Sequence, residues 1–387
     1  MRFVVVLAAA VLLPPAAHAH HGFGSFDRNS EVSLRGTITG VDFVNPHAYV
    51  YFDVRGEGGT VTPWRCELRS ATTLRRSGWS AEMFVRGESI AITGARDRYD
   101  SASCYVSTAV FADGTTADRY AQLTQPVVAP SSVGERPARR ATGEPNISGD
   151  WAPEQLVMTD SQGRGGNLVP LSRVEEFQRG AGRSTDPAVP EPPDAAPAPG
   201  ADANFRQYRT RTVELTPDGK QAADAFDVYS SENPRMRCET TSIIFDWTYD
   251  GAINRITQNA DTIVLEYGQL GFVRTIHMNR NTHPANLEPS RAGHSIGRWQ
   301  GDVLVVDTVG FAPGVLSPPV MHSAELHVVE RFSLDPATTT LTRSYVAEDR
   351  VNFTGRYEGS DSLQVADLPY EPDPCKELWT GAAGEAR

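Results

Sequence analysis

Histidine, aspartate and glutamate recur in the last third of the chain at spacings that could assemble an acid–base site. Five of the nine histidines lie there (His277, His283, His294, His322 and His327), with Asp307 and Glu330 close by in sequence. Imidazole titrates near neutral pH, and a neighbouring carboxylate decides which ring nitrogen carries the proton. His277, Asp307, His327 and Glu330 are therefore the candidate catalytic set. Strand-like alternation puts Val273, Thr275 and His277 on one face and Phe272, Ile276 and Met278 on the other; His327 and Arg331 likewise share a face opposite Val328 and Phe332. A polar barrel interior would make these side chains line a pocket, whereas apolar faces turned inward would leave them on the surface. Tyr49 and Tyr51 in the first half, and His294 and Arg331 in the second, are the candidate ligand-binding residues.

A second chemistry belongs to the start of the mature chain. Cleavage after Ala19 would leave His20 with a free α-amine beside its imidazole, the chelating start of a copper or zinc site that His21 and His47 could complete. The intervening strand, about 13 residues at about 3.3 Å each, spans about 43 Å if straight, and strong coiling shortens it. The alternative is that His20 and His21 are a solvated tail and His47 caps a turn. No Gly-x-Ser-x-Gly elbow, His-Glu-x-x-His helix or Walker loop is present, so a visible nucleophile or cofactor fingerprint is lacking.

The address is read from Arg2, the apolar run Phe3 to Leu13 and the small-x-small site Ala17-His18-Ala19, the pattern of a cleaved secretory signal peptide. A periplasmic or secreted protein without membrane insertion follows. The formal charge of -12 over 387 residues repels phosphate backbones, which excludes general nucleic-acid binding and leaves a small molecule or metal ion as partner. Cys66, Cys104, Cys238 and Cys375 follow no zinc spacing and fit an oxidising compartment. Of three possible pairings, Cys66–Cys104 and Cys238–Cys375 keep each bridge within one domain.

Patterning places a signal peptide at 1–19, an OB-like domain at 20–119, a linker at 120–145, a larger β domain at 146–380 and a tail at 381–387. A Pro-rich insertion at about 180–204 interrupts the larger domain. In the OB-like part Val32, Leu34, Gly36 and Ile38 alternate, and the phase shifts at Gly40 so that Val41 and Phe43 continue the face, a long strand with a bulge. Two strands, a helix from Ala71 and two more strands complete a five-stranded plan. The larger domain opens with Gly149-Asp150-Trp151, as lipocalin-like barrels do. Thr216-Pro217 caps a helix, and eight short strands follow between Ile253 and Val365, an antiparallel barrel. The fold class is mainly β.

His20-His21-Gly22-Phe23, Leu34-x-Gly36-Thr37 and Asn45-Pro46-His47 resemble an uncharacterised family of exported bacterial proteins, domain of unknown function 6152. Its mature chain starts His-His-Ser-Phe, where this sequence has Gly22. The second half resembles a β-rich region often joined to that domain, through Arg274 to Met278, His283-Pro284, Gly293 to Trp299, Val305 to Thr308 and Leu326 to Arg331. The resemblance implies export and two β domains and brings no activity. Two functions are therefore expected in order: an exported protein binding a metal ion or small ligand, and an exported lyase or hydrolase using the His/Asp/Glu set.

Overall fold

The computed structural model describes residues 26–119, 123, 137–158, 168–170, 213–227, 230, 232–372 and 375. The signal-peptide reading, His20, His21, the Pro-rich insertion and the tail lie outside them.

The first domain is a small ring of five strands. β1 (Phe26–Asp42) is long enough to pair with β4 (Ser89–Asp97) along its first part and with β2 (Tyr49–Arg55) along its last. The register shifts between Ile38 and Gly40, so the bulge expected from the phase change is present and lets one strand serve both sides of the ring. β3 (Val61–Glu67) and β5 (Ser103–Phe111) close it by a parallel pairing that brings Cys66 opposite Cys104, and those two are disulfide-bonded. A short strand β6 (Thr116–Asp118) extends β5. Alternation turns Val50, Phe52, Trp64, Cys66, Ile90 and Ile92 into one core. Helix α1 (Ala71–Arg76) begins where the Ser70 hydroxyl accepts from Thr73 N at 3.3 Å, and it buries Ala71 and Leu74.

The second domain is a closed barrel of nine strands: β7 (Gly149–Ala152), β8 (Asn254–Gln258), β9 (Thr262–Glu266), β10 (Val273–His277), β11 (His294–Gln300), β12 (Val303–Val309), β13 (His327–Asp335), β14 (Thr340–Glu348) and β15 (Tyr357–Val365). Each of β8 to β14 pairs with its successor, and β7 closes the ring between β15 and β8. The expected count of eight is thereby corrected to nine: Gly149-Asp150-Trp151 is itself the closing strand. A closed ring with an odd number of strands cannot be antiparallel throughout, and the parallel pair falls at β10 and β11, joined by the long connection 278–293. Helix α2 (Pro217–Ala225) stands outside the ring, its Thr216 hydroxyl capping Gly219 N at 3.0 Å.

The apolar faces point inward and the barrel is packed. Trp151, Ile256, Leu265, Ile276, Val306 and Phe332 form its core around Trp247. Trp247 arrives on an irregular segment, 240–247, whose residues are all buried and which enters the barrel as a plug. Such backbone needs partners for its carbonyls. Arg343 donates to Ile243 O at 2.9 Å and Ile244 O at 3.1 Å, and the Tyr267 hydroxyl also donates to Ile243 O at 3.1 Å. The Arg343 charge is matched by Glu330 (3.2 Å) and Asp361 (2.5 Å), and Glu330 also accepts from Arg274 at 2.5 Å. Cys238, just before the plug, is bonded to Cys375 after the last strand, as expected.

The two domains touch through Arg76, at the end of α1. Its Nε donates to Asp367 Oδ1 at 2.8 Å, Nη1 to Gly251 O at 2.6 Å and Nη2 to Pro153 O at 2.9 Å, while Gln155 Nε2 donates to Arg76 O at 2.7 Å. Among the described residues no helix is long and apolar enough to cross a membrane.

Three variants separate the buried charges from an exposed one. Arg76→Ala strands a half-buried carboxylate and two carbonyls, so it should cost about 3 kcal/mol. Arg75→Ala removes only an exposed pair with Glu371 and should cost under about 0.5 kcal/mol. Glu330→Ala leaves two buried guanidinium groups short of a partner and should cost about 3–5 kcal/mol. Denaturant midpoints at constant slope check all three.

Candidate functional site

Along the barrel wall, alternation decides which chemistry faces in and which faces out. Arg274, Ser295, Thr308 and Glu330 are buried on the inner side, where Arg274 Nε donates to Ser295 Oγ at 2.9 Å and Nη2 to Thr308 Oγ1 at 2.8 Å. Their neighbours on the outer side are Val273, Thr275 and His277 of β10, His294 of β11, Asp307 of β12, and His327 and Arg331 of β13. The expected catalytic set therefore divides. His277, Asp307 and His327 share the outer face, and Glu330 lies on the inner face with its carboxylate held by Arg274 and Arg343. One cavity holding all four does not form, because odd and even residues of β13 point to opposite sides of the wall.

The outer residues converge, and the long connection adds a fifth. His283, carried by 278–293, folds back over the wall so that its Nε2 lies 2.9 Å from Asp307 Oδ1 and its Nδ1 lies 2.8 Å from His294 Nδ1. His327 Nε2 lies 3.1 Å from Asp307 Oδ2. The His277 ring stacks on His294 with centroids 5.0 Å apart and planes 15° apart, and His283 meets His294 nearly edge-on at the same distance. Gly293 makes the entry to β11 possible: its φ of +62° is left-handed, and a Cβ there would lie 2.8 Å from Val309 O.

Carboxylates only accept, so the Nε2 atoms of His283 and His327 carry protons and donate to Asp307. With its proton on Nε2, His283 accepts at Nδ1 from the Nδ1–H of His294. The electrostatics agree with this assignment. Burial, helped by the positive charge that His277, His283 and Arg280 can carry, holds the His294 pKa below its ordinary value of 6.5. At Asp307, partial burial works upward, but the hydrogen bonds from His283 and His327 outweigh it and hold the carboxyl below its ordinary value. The result is a half-buried row of imidazoles beside one ionised carboxylate, open to solvent: the side chains of Asp307 and His327 are 31% and 40% exposed. Such a row can hold a cation or pass a proton along Asp307, His283 and His294.

The remaining candidates lie elsewhere. Tyr49 is buried in the OB-like wall with its hydroxyl 3.4 Å from Glu67 Oε2, and Tyr51 donates to Asp42 Oδ2 at 2.9 Å. Burial and that bond push the Tyr51 pKa up to about 12. The pair thus belongs to a different domain from His294 and the exposed Arg331, so the four do not share one element or sheet. His47, held beyond the Asn45-Pro46 turn that Asn45 ties to Thr72, has its Nδ1 3.0 Å from Glu67 Oε1. Its proposed metal partners, His20 and His21, are outside the described residues. Among the described residues no three His, Cys, Asp or Glu side chains stand together as a metal-binding set.

A histidine with a lowered folded-state pKa contributes fully above its unfolded pKa of about 6.5 and loses that contribution as the pH falls below it. His294 and the buried His322, lowered chiefly by burial, both act this way. Stability should therefore fall between pH 7 and pH 5, and His294→Gln should flatten part of that slope while His322 retains the rest. An imidazole NMR titration placing the His294 midpoint at or above 6.5 would contradict the arrangement.

No curated protein matches the chain. Residues 8–105 match the model of a family of unknown function (DUF6152), a span that takes in most of the five-stranded ring and the Asn-Pro-His turn. Over those residues the chain is similar to the family of unknown function DUF6152.

Proposed function

We propose that this is an exported, two-domain β protein that binds a metal ion or small ligand, and that it does so on the outer wall of its larger barrel. The observation that carries the reading is a continuous row of contacts in which His277 stacks on His294, His294 meets His283, and His283 and His327 both reach Asp307, outside a barrel whose interior is filled by its own plug. Four imidazoles brought to one patch by four different segments are costly to arrange for solubility alone, and imidazole nitrogen is a ligand that suits zinc, copper and nickel ions. Export is supported by the leader-like start and by two disulfides, which persist in oxidising compartments. The lyase or hydrolase reading ranks second, because its acid–base set lacks Glu330 and, among the described residues, no nucleophile is bonded to the imidazoles.

Side-chain NMR of the full chain, titrated with divalent metal ions and with small carboxylates and phosphates, tests this. Saturable shifts confined to the imidazoles of His277, His283, His294 and His327 are expected. Shifts at the Trp247 or Trp151 indoles would place the ligand inside the barrel and overturn the outer-wall site. No saturable shift with any probe would overturn the binding function.

A further inference from the structure

Resting on the outer-wall reading, we infer that Asp307, His283 and His294 form a proton relay that makes Nε2 of His294 a general base for the O–H of a molecule bound there. Two ring nitrogens that meet head-on at 2.8 Å share one proton in an N–H···N hydrogen bond. With that proton on His294, every N–H of the row points toward the carboxylate. His294 Nδ1–H points to His283 Nδ1, His283 Nε2–H to Asp307 Oδ1 at 2.9 Å, and His327 Nε2–H to Asp307 Oδ2 at 3.1 Å. A chain of hydrogen bonds aligned in one direction leaves an open lone pair at its far end, here Nε2 of His294. Among the described residues the side chain of His294 makes a hydrogen bond only through Nδ1, so Nε2 is left for a ligand.

A proton that enters at His294 comes to rest one ring further on. The bound O–H gives its proton to His294 Nε2, the Nδ1 proton of His294 crosses to Nδ1 of His283, and the Nε2 proton of His283 stays in its bond to Asp307. His294 ends neutral as its other tautomer, His283 ends as an imidazolium, and the oxygen of the bound molecule keeps the electron pair of its broken O–H bond. The two rings differ in what surrounds them. His294 lies beside His277 and Arg280, which together with burial oppose a positive charge on it. His283 lies against Asp307, whose carboxylate turns an imidazolium into a charge-assisted pair, as the carboxylate of a catalytic triad does. His327 holds the second oxygen of Asp307 and so keeps that carboxylate in orientation. A general base must be neutral before the step and within hydrogen-bond reach of the proton it takes. The nucleophile that the row itself lacks is then the oxygen it deprotonates, that of water or of an alcohol, acting on an acyl carbon.

Nitrogen-resolved NMR of the full chain between about pH 8 and pH 5 reads the protonation of each ring nitrogen. At the upper end His294 should carry its proton on Nδ1. The first added proton should leave His283 protonated on both nitrogens while His294 changes to the Nε2–H form, at one midpoint that belongs to the pair. Asp307→Asn should lower that midpoint by about one pH unit. Hydrolysis of 4-nitrophenyl acetate supplies the second readout: water gives its proton to His294, its oxygen adds to the carbonyl carbon, and the bond to 4-nitrophenolate breaks. The rate should exceed that of free imidazole at equal concentration, rise with pH through the midpoint of the pair, and fall about two- to three-fold in heavy water. His283→Ala and His294→Ala should each lower it about 10-fold or more, whereas Thr275→Ala, on the same wall, should leave it unchanged. An imidazolium that forms first at His294 would overturn the relay with no variant needed. Hydrolysis no faster than by free imidazole, or an acetyl group trapped on His294 with no solvent isotope effect, would overturn the general base. Saturable shifts of the four imidazoles with carboxylates or phosphates would in each of these cases leave the outer-wall binding site standing.

Discussion

Nine strands closed into one ring cannot alternate in direction all the way round, and much of the larger domain follows from that parity. One neighbouring pair must run parallel, and parallel neighbours need a long crossover rather than a hairpin. The crossover here is 278–293, and it lies over the wall because the lumen is already filled. It carries His283 back to strands that bear His294, Asp307 and His327. The patch thus forms at the seam of the barrel, where the ring changes direction and the backbone ladder between β10 and β11 is only two residue pairs long.

The same wall is engaged from both sides. Inside, Arg274 joins Ser295 of β11 to Thr308 of β12 and to Glu330 of β13; outside, His294, Asp307 and His327 sit one residue before, one before, and three before those positions. The buried guanidinium therefore stitches together the strands whose outward side chains must keep their spacing. Glu330 and Arg343 extend the stitching to the plug, where Arg343 supplies the donors that Ile243 and Ile244 lack. A rigid inner layer is what an outer group of imidazoles requires if its distances are to hold in water.

Much of the fold was legible in alternation. Val32 and Ile38 against the shift at Gly40 disclosed the coiled first strand, Trp64, Cys66 and Leu68 its partner core, and the eight runs from Ile253 to Val365 the body of the barrel. These signals are local, a period of two read along one strand. Closure is not local, so Gly149-Asp150-Trp151 was legible as a barrel opening but not as the ninth stave that sets the parity. The same holds for the site. His277, Asp307, His327 and His294 are legible from residue type, whereas the odd spacing of Glu330 from His327 puts it on the other face of the same strand. His283 is visible in His283-Pro284, but no strand period links it to the set, since only the crossover brings it to Asp307. Arg274 carried a signal of its own, a charged residue between Phe272 and Ile276 on the apolar side of β10. The plug left no periodic trace, because irregular backbone has none.

The bridge between Cys238 and Cys375 has a topological consequence. It closes a covalent loop that contains the plug and eight of the nine staves, leaving β7 outside. A protease that nicks any turn within that loop, the crossover bearing His283 included, converts one chain into two pieces that remain tethered through sulfur and through the ladders on either side of the cut. Separating the two pieces after such a nick requires a reductant as well as an enzyme, so the strands that bear the outer-wall site stay at high local concentration after cleavage of the loop that carries part of it.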